Sequence, residues 1–408
     1  MNVVLARRRS TASHMTPKYV SSRVASIDAA RGAAMVFVCL SHFSNAYFFG
    51  AGEGAEGMYL VVIGMIASPT FVTVSGLVAG FLATTRSESF DQLRLKLIDR
   101  GLFLLIVGHA ILAFSGVLAG RGFVYALKIG YITDVVGFAV IVGPSLITSL
   151  KPRMRLVLAF CVYGLSWLAV FLWHPTGGAA LAIKQYAIGI PNLTEPTRGD
   201  FPVVPWFAVY LLGTVLGQHI GALYAVRREK TAHIFLAQIG AASLAIGIGA
   251  KIALHVFRDY APVFDRIHPL LMFSISSYQK FPPGPVYLVY FGGLGMLLVA
   301  GILECGRRQM VPMLFNLLRQ LGLASLFVYI AQFYVYVVVL RSLHLPFSHF
   351  WPLLFLGSLV ILVAAAKVWN SRAGNRYLTV GVVAASNWIR KRKTPALSAA
   401  IGLDASPS

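Results

Sequence analysis

Residues 24–43 read VASIDAARGAAMVFVCLSHF, a largely apolar run with few charges. About 20 apolar residues in a helix cross the hydrocarbon core of a bilayer, which is about 30 Å thick. Runs of this length recur from residue 25 to residue 366 with short polar breaks between them. Because the backbone has no water to bond within lipid, each run must be a helix. The sequence therefore predicts an all-α integral membrane protein, and 57% hydrophobic against 12% charged residues excludes a chain of soluble domains.

Charge in the loops predicts the orientation of the chain. Loops on the side of the N-terminus carry 25 Lys and Arg, against 8 on the other side. Positively charged loops stay in the cytoplasm, so both termini are predicted to be cytoplasmic, in a bacterial inner membrane. An even number of crossings is needed for that arrangement. Ten spans are predicted, at residues 25–48, 60–84, 101–118, 128–149, 156–173, 203–223, 234–257, 284–304, 322–341 and 348–366.

The polar parts of the chain lie mainly at its ends. Residues 1–23 are predicted to be a disordered basic tail, residues 24–367 the membrane domain, and residues 368–408 an interfacial segment with a second disordered tail. We interpret the net charge of +21 as topology signals beside anionic lipid rather than as a nucleic-acid surface. The three cysteines are scattered and predict neither a disulfide framework nor a metal site. The oligomeric state is left open.

The first predicted helix carries three ionisable residues, which are costly at membrane depth. Asp28 and Arg31 are three residues apart and can pair at the cytoplasmic end. His42 follows Arg31 by eleven residues, which returns nearly to the same helix face after a rise of about 16 Å. One face of the helix thus carries a cation at its cytoplasmic end and an imidazole about half a bilayer away.

This spacing suits a thioester donor that enters from the cytoplasm. Arg31 would lie near the phosphates of an acyl-coenzyme A, and His42 near the acyl carbon at the end of the pantetheine arm. An imidazole can act there as a general base or can itself be acylated. The alternative is that Asp28 and Arg31 anchor the helix at the interface, while His42 bonds to a neighbouring helix.

Several short motifs, in order along the chain, resemble those of the transmembrane acyltransferase superfamily, which includes acyltransferase-3 enzymes, membrane glucan succinyltransferases and heparan-alpha-glucosaminide N-acetyltransferase. The first is SIDAARG at residues 26–32, followed by SHF at residues 41–43. The others are FVTVSGLVAGF at 71–81, RGLFLLIVGH at 100–109, PW at 205–206 with LLG at 211–213, and GLASLFVY at 322–329. The resemblance covers residues 25 to about 340.

The resemblance implies transfer of an acetyl- or succinyl-class acyl group from cytoplasmic acyl-CoA to an extracytoplasmic glycan or glycolipid. It makes residues 24–367 an acyltransferase-like domain with His42 as the catalytic residue and Arg31 in the coenzyme site. We take Asp28 as a second catalytic candidate together with His42. One departure is Gln332, where many relatives carry a histidine.

Further candidates lie elsewhere in the predicted spans. Arg100 could grip nucleotide phosphates, since guanidinium matches phosphate geometry, and Ser75 could bond the donor, although both also fit topology or packing roles. His109 and Asp134 lie within spans and could pair to tune the site. Trp206, at an outer helix end, is an interfacial residue or a platform for the sugar acceptor.

Two other functions fit the same sequence. A proton-coupled secondary transporter or lipid-linked-sugar flippase would also use buried histidine and aspartate in about ten spans. Paired Gly/Pro breaks at mid-membrane are not evident, which disfavours this alternative. A non-catalytic membrane scaffold would tolerate the loss of Arg31 and His42 together.

Overall fold

The structure is a computed structural model, and it describes residues 20–48, 55–190, 201–260, 275–384 and 386. This part of the chain is helical apart from turns, loops and one isolated bridge between Lys280 and Pro283. Both predicted disordered tails, 1–23 and the end of 368–408, fall largely outside it. The helices are α1 Val20–Phe48, α2 Ala55–Gly64, α3 Ala67–Thr85, α4 Phe90–Phe103, α5 His109–Leu118, α6 Phe123–Lys128, α7 Ile132–Ser149, α8 Pro152–Leu172, α9 Gly178–Ala187, α10 Val203–Ala225, α11 Glu229–Tyr260, α12 Pro285–Arg308, α13 Pro312–Leu323, α14 Ser325–Phe333 and α15 Trp351–Ser371. Leu104–Gly108 and Tyr334–Leu340 are π-helical turns that continue α4 and α14.

Within the described ranges, eight helices are long and apolar enough to cross a membrane, or nine if α13 and the helix after it count as one bent span. The protein is therefore a polytopic all-α membrane protein, as predicted. The predicted first span is present as the continuous helix α1. It is not among the eight, and it is the helix that carries Asp28, Arg31 and His42. The count of ten crossings thus depends on α1.

Two predicted spans differ in shape from the structure. The ninth, predicted as one helix at 322–341, is broken between Leu323 and Ser325, where α13 and α14 meet at 80°. The third begins earlier than residue 101, because α4 starts at Phe90 and continues through the π-turn to Leu118. In the predicted loop 173–202, α9 forms, and its Lys184 ammonium donates to carbonyls at the end of α8, which lack helical partners.

Glycines bring α1 into direct backbone contact with α13. A Cβ on Gly32 would overlap the carbonyl oxygen of Leu318, and a Cβ on Gly322 would overlap that of Asp28. The same small-residue packing joins α3 to α10, where Gly76 faces the backbone of Tyr210. Because α13 approaches α1 so closely, the end of α13 at the bend lies beside Arg31. Arg31 is one helical turn along α1 from Asp28.

Candidate active site

Arg31 lies where α1 meets the start of α14. One guanidinium nitrogen donates to the Ser325 hydroxyl at 2.5 Å, and the other is 3.6 Å from the Asp28 carboxylate. The Arg31 side chain keeps 24% of its surface exposed, whereas that of Asp28 keeps 10%. Ser325 is the first residue of α14, so the bend in the chain delivers it to α1. The cation is thus fixed in place but still reachable by an anion.

Two further arginines face this region. Arg100, on α4, is near enough to Arg31 for the two positive charges to repel each other. Arg319, on α13, acts on Asp28, and its buried Nε has no hydrogen-bond partner among the described residues. Like charges gathered at one place cost free energy unless an anion offsets them. The cluster of Arg31, Arg100 and Arg319 is therefore suited to a multiply charged ligand such as a phosphate ester.

His42 lies further along α1 in an aromatic pocket. Its ring centroid is 4.6 Å from that of Phe333 and 6.5 Å, edge-on, from that of Tyr329. Phe71 of α3 in turn stacks on Tyr329 at 6.4 Å. No hydrogen bond within the described part of the chain holds either ring nitrogen of His42. Aromatic walls and a free imidazole nitrogen give a site that is shielded from water and able to accept a proton.

The two ends of the site are joined by a pair of parallel helices. Arg31 and His42 are eleven residues apart on α1, while their partners Ser325 and Phe333 are eight apart on α14. Both helices run from the arginine cluster towards the imidazole. The rise between Arg31 and His42 is about 16 Å, because α1 is continuous over this stretch. The spacing predicted from sequence is therefore present.

Two cations from loops lie near His42. Lys280 and Arg121 are both close enough to act electrostatically on its imidazole. The Lys280 ammonium lies 5.3 Å from the ring of Phe201 and 5.2 Å from that of Phe281, within cation–π range. Burial among these rings lowers the pKa of Lys280 to about 8. This end of the site is opposite to the arginine cluster.

His109 and Asp134 do meet. The Nδ1 atom of His109 lies 3.1 and 3.0 Å from the two carboxylate oxygens, and its Nε2 atom is 3.0 Å from the carbonyl of Leu127. Asp134 also accepts from the backbone N–H of Tyr131 at 2.8 Å. The ring centroids of Tyr131 and Phe333 are 5.8 Å apart, so the His109–Asp134 pair lies next to the wall of the His42 pocket. Both imidazole nitrogens of His109 are engaged, and the pair supports the pocket without opening onto it.

The remaining candidates lie apart from His42. Asp28 belongs to the arginine end, about 21 Å along α1 from His42, so any part that it takes in the reaction acts through Arg31. The Ser75 hydroxyl donates to the carbonyl of Phe71 at 2.7 Å within α3. The Trp206 indole is fully buried, and its Nε1 has no hydrogen-bond partner among the described residues. A sugar could reach it only if the surrounding rings moved.

Sequence reasoning did not find several of these neighbours. Ser325, Phe333 and Lys280 are each more than 230 positions from the residue that they face, and no local pattern links them. Gln332, which departs from the family pattern, is fully buried and donates to the carbonyl of Tyr329 at 3.1 Å. Its side-chain oxygen has no partner in the described ranges. In the same ranges, no group of three or more His, Cys, Asp or Glu side chains could hold a metal ion.

The helical bundle and its site identify a class of protein. It is a multi-pass membrane protein in which a cluster of arginines lies at one end of a site and a histidine enclosed by aromatic rings lies further along it. Residues 23–254 match the family of the heparan-alpha-glucosaminide N-acetyltransferase catalytic region, more than half of the chain. The chain belongs to this family of transmembrane acetyltransferases, and it is an acyltransferase. No curated protein matches the sequence. The matched region includes α1 with Arg31 and His42, whereas α14 lies beyond it.

Proposed function

We propose that the protein transfers an acetyl- or succinyl-class acyl group from cytoplasmic acyl-CoA to a glycan or glycolipid outside the bacterial inner membrane. The observation that carries this proposal is the placement of the Arg31 cluster and His42 at the two ends of one pair of parallel helices. The family name describes transfer of an acetyl group to a glucosaminide, which supports a carbohydrate acceptor.

The cytoplasmic end holds the donor. Arg31 and Arg100 would bind the phosphates of coenzyme A, because charge-assisted bonds from guanidinium to phosphate are strong and directional. Asp28 orients Arg31 from one side, and Ser325 does so from the other. The pantetheine arm then extends along α1 and α14, so that the thioester reaches the pocket of His42. We assign both termini to the same, cytoplasmic side as this donor site.

His42 moves the proton in the transfer step. The acceptor hydroxyl or amine gives its proton to a ring nitrogen of His42 while its oxygen or nitrogen attacks the thioester carbonyl carbon. The carbon–sulfur bond breaks, and the coenzyme thiolate takes the proton back from the imidazolium. In the alternative route, the imidazole attacks the thioester first, releases the thiol and passes the acyl group to the acceptor. The surrounding rings of Tyr329 and Phe333 limit hydrolysis by water in either route.

The acceptor approaches from the opposite end. Lys280 and Arg121 are the cations that it would meet beside His42. Because this end lies beyond the aromatic pocket, the acceptor and the bulk of the coenzyme never share a compartment. A burst of thiol release without acceptor, equal to the amount of enzyme, would assign the acyl-histidine route; release that needs acceptor would assign the direct route.

The test of donor binding compares acetyl-CoA with S-acetyl-pantetheine, which lacks the phosphates. Arg31→Ala should raise the KM for acetyl-CoA about 10- to 100-fold, the size expected for a lost charge-assisted contact, and leave the KM for S-acetyl-pantetheine unchanged. Arg100→Ala provides a second variant in case Arg31→Ala is poorly folded. Arg153→Ala, at an exposed position in the first turn of α8, is the matched control and should behave as wild type.

Equal KM values for acetyl-CoA in wild type and both arginine variants would remove the donor assignment. If wild-type protein in vesicles accumulates solute without any acyl donor and does not consume acyl-CoA, transport would replace acyl transfer as the function.

A further inference from the structure

Asp99 is a buried carboxylate that is held by the C-terminal part of the chain. Only 4% of the residue is exposed. Its oxygens accept hydrogen bonds from the backbone N–H groups of Val380 at 3.0 Å and Val382 at 3.2 Å, and from the hydroxyl of Thr379. Burying a carboxylate is costly unless its oxygens are satisfied, and successive backbone N–H groups form a concavity that does so. Asp99 therefore fixes this segment against α4.

The same segment is anchored a second time, at the bend between α13 and α14. The amide of Asn375 donates to the carbonyl of Leu323 at 2.9 Å, and its oxygen accepts from the indole of Trp369 at 3.1 Å. Leu323 is the last residue of α13. Between the two anchors, Leu378 is 6% exposed and belongs to the main hydrophobic core. We call residues 375–382 the strap.

The strap joins the elements that carry the arginine cluster. The C-terminal end of the strap binds Asp99 of α4, the residue next to Arg100. The N-terminal end of the strap, at Asn375, binds the bend that brings Ser325 to Arg31. The strap crosses the cytoplasmic end of the bundle between these two points, since both anchors lie beside the cluster. A shift of α4 away from the bend would separate Arg100 from Arg31.

We infer that the strap sets the distance between Arg100 and Arg31, and that Asp99 is a positioning residue for the phosphates of the acyl donor. This inference rests on the proposed function, because it assigns the cluster to coenzyme A. The strap lies outside the part of the chain that matches the family, which ends at residue 254. It therefore lies outside the region on which the family assignment rests.

Release of the strap has a specific consequence. Asp99→Asn replaces the charged acceptor with a neutral amide that keeps only one acceptor oxygen, so the hydrogen bonds from the three donors weaken and the strap holds α4 less firmly. Arg100 then binds phosphate less well, whereas the pocket of His42 is unchanged. The effect should appear in the KM for a donor that carries phosphates, with kcat retained. A general loss of folding would lower activity with every donor.

The experiment measures kcat and KM for acetyl-CoA and for S-acetyl-pantetheine with wild type, Asp99→Asn and Thr379→Val. Asp91→Asn, at an exposed position in the first turn of the same helix, is the matched control. Limited trypsin digestion reports separately whether Arg376, which lies within the strap, becomes easier to cleave. We expect faster cleavage at Arg376 and a rise of about tenfold in the KM for acetyl-CoA alone, the size of one weakened charge-assisted contact.

Two results would overturn the inference. One is faster cleavage at Arg376 with an unchanged KM for acetyl-CoA, because the strap would then be loose without affecting the donor. The other is an equal loss of activity with both donors, which indicates a structural role. Thr379→Val, which removes a single hydroxyl, keeps the comparison valid if Asp99→Asn does not fold. A wild type that consumes neither donor would remove the proposed function as well, whereas an active wild type with unaffected variants removes the strap alone.

Discussion

Single residues in this protein take their properties from partners that are far away in the chain. Arg31 is held by Ser325, 294 positions later, and His42 is enclosed by two rings of α14. The sequence placed Arg31 and His42 on one helix face, because helical periodicity is a local property. Their partners depend on how α13 and α14 pack, and no local pattern encodes that. The sequence of α1 alone was enough to predict a coenzyme site at Arg31 and an acyl-transfer site at His42. It was not enough to predict the aromatic rings that enclose His42.

The Lys280 ammonium gives a prediction for stability against pH. Burial lowers its pKa to about 8 in the folded protein, whereas an unfolded chain holds the proton up to about 10.4. Between these values the unfolded state binds more protons, so stability should rise as the pH increases from about 8 to about 10.4. Lys280→Met removes this dependence. Thermal unfolding in detergent should therefore show a stabilising effect of Lys280→Met near pH 7 that shrinks towards pH 10.

The control for this prediction is Lys151→Met, at an exposed position before α8, which should follow the wild-type curve at every pH. Parallel curves for wild type and Lys280→Met over the same range would contradict the assignment of a buried ammonium beside Phe201 and Phe281.

Helices in the protein meet where glycine allows their backbones to touch. The sequence predicted close packing from small-residue spacing, and α3 and α10 show it. It did not predict the 80° break between α13 and α14, because the run 322–341 is largely apolar and contains no proline. Nor did it predict α9, whose short length and polar flanks read as a loop. Hydropathy identifies which segments enter lipid, but packing against α1 decides where a segment bends.

Contact between α1 and α13 gives a prediction at this scale. Gly32→Ala places a Cβ against the carbonyl oxygen of Leu318, so the two helices must separate. We expect a loss of stability of about 1–3 kcal/mol, typical of overpacking, together with a raised KM for acyl-CoA because Ser325 moves away from Arg31. Thermal unfolding and donor kinetics measure the two effects. Gly301→Ala, in α12 with open space around its Cβ position, is the matched control.

A Gly32→Ala variant with wild-type stability and wild-type KM would show that the α1–α13 contact does not position the donor site. A variant that is destabilised but retains its KM would separate packing from donor binding.

The whole molecule is a bundle of apolar helices, and α1 carries the ionisable residues of the candidate site. Composition and hydropathy predicted the fold class directly, since the solvent of most of the chain is lipid. The number of crossings was harder to predict, because α1 carries the ionisable residues of the site and thereby loses hydropathy. The helix that is least typical of a membrane span is the one on which the proposed function depends.

Orientation is the prediction at the scale of the molecule. With α1 crossing and the bent pair counted as one span, the described ranges give ten crossings, and the excess of Lys and Arg then predicts that both termini lie in the cytoplasm. Epitope tags at either end should resist protease added to intact spheroplasts and should be cleaved in inverted vesicles. Tags on opposite sides would mean an odd number of crossings and would contradict the assignment of both termini to the side of the donor site.

In the proposed mechanism His42 performs acyl transfer from acyl-CoA, and donor consumption by the purified protein with a crude envelope glycan as acceptor tests this role. His42→Ala should lower kcat by about 10²- to 10⁴-fold, the usual contribution of a general base, while binding of coenzyme A is retained. His174→Ala, in the loop after α8, should match wild type. If His42→Ala consumes acetyl-CoA and succinyl-CoA as fast as the wild type does, His42 is not the catalytic residue and the proposed transfer mechanism is wrong.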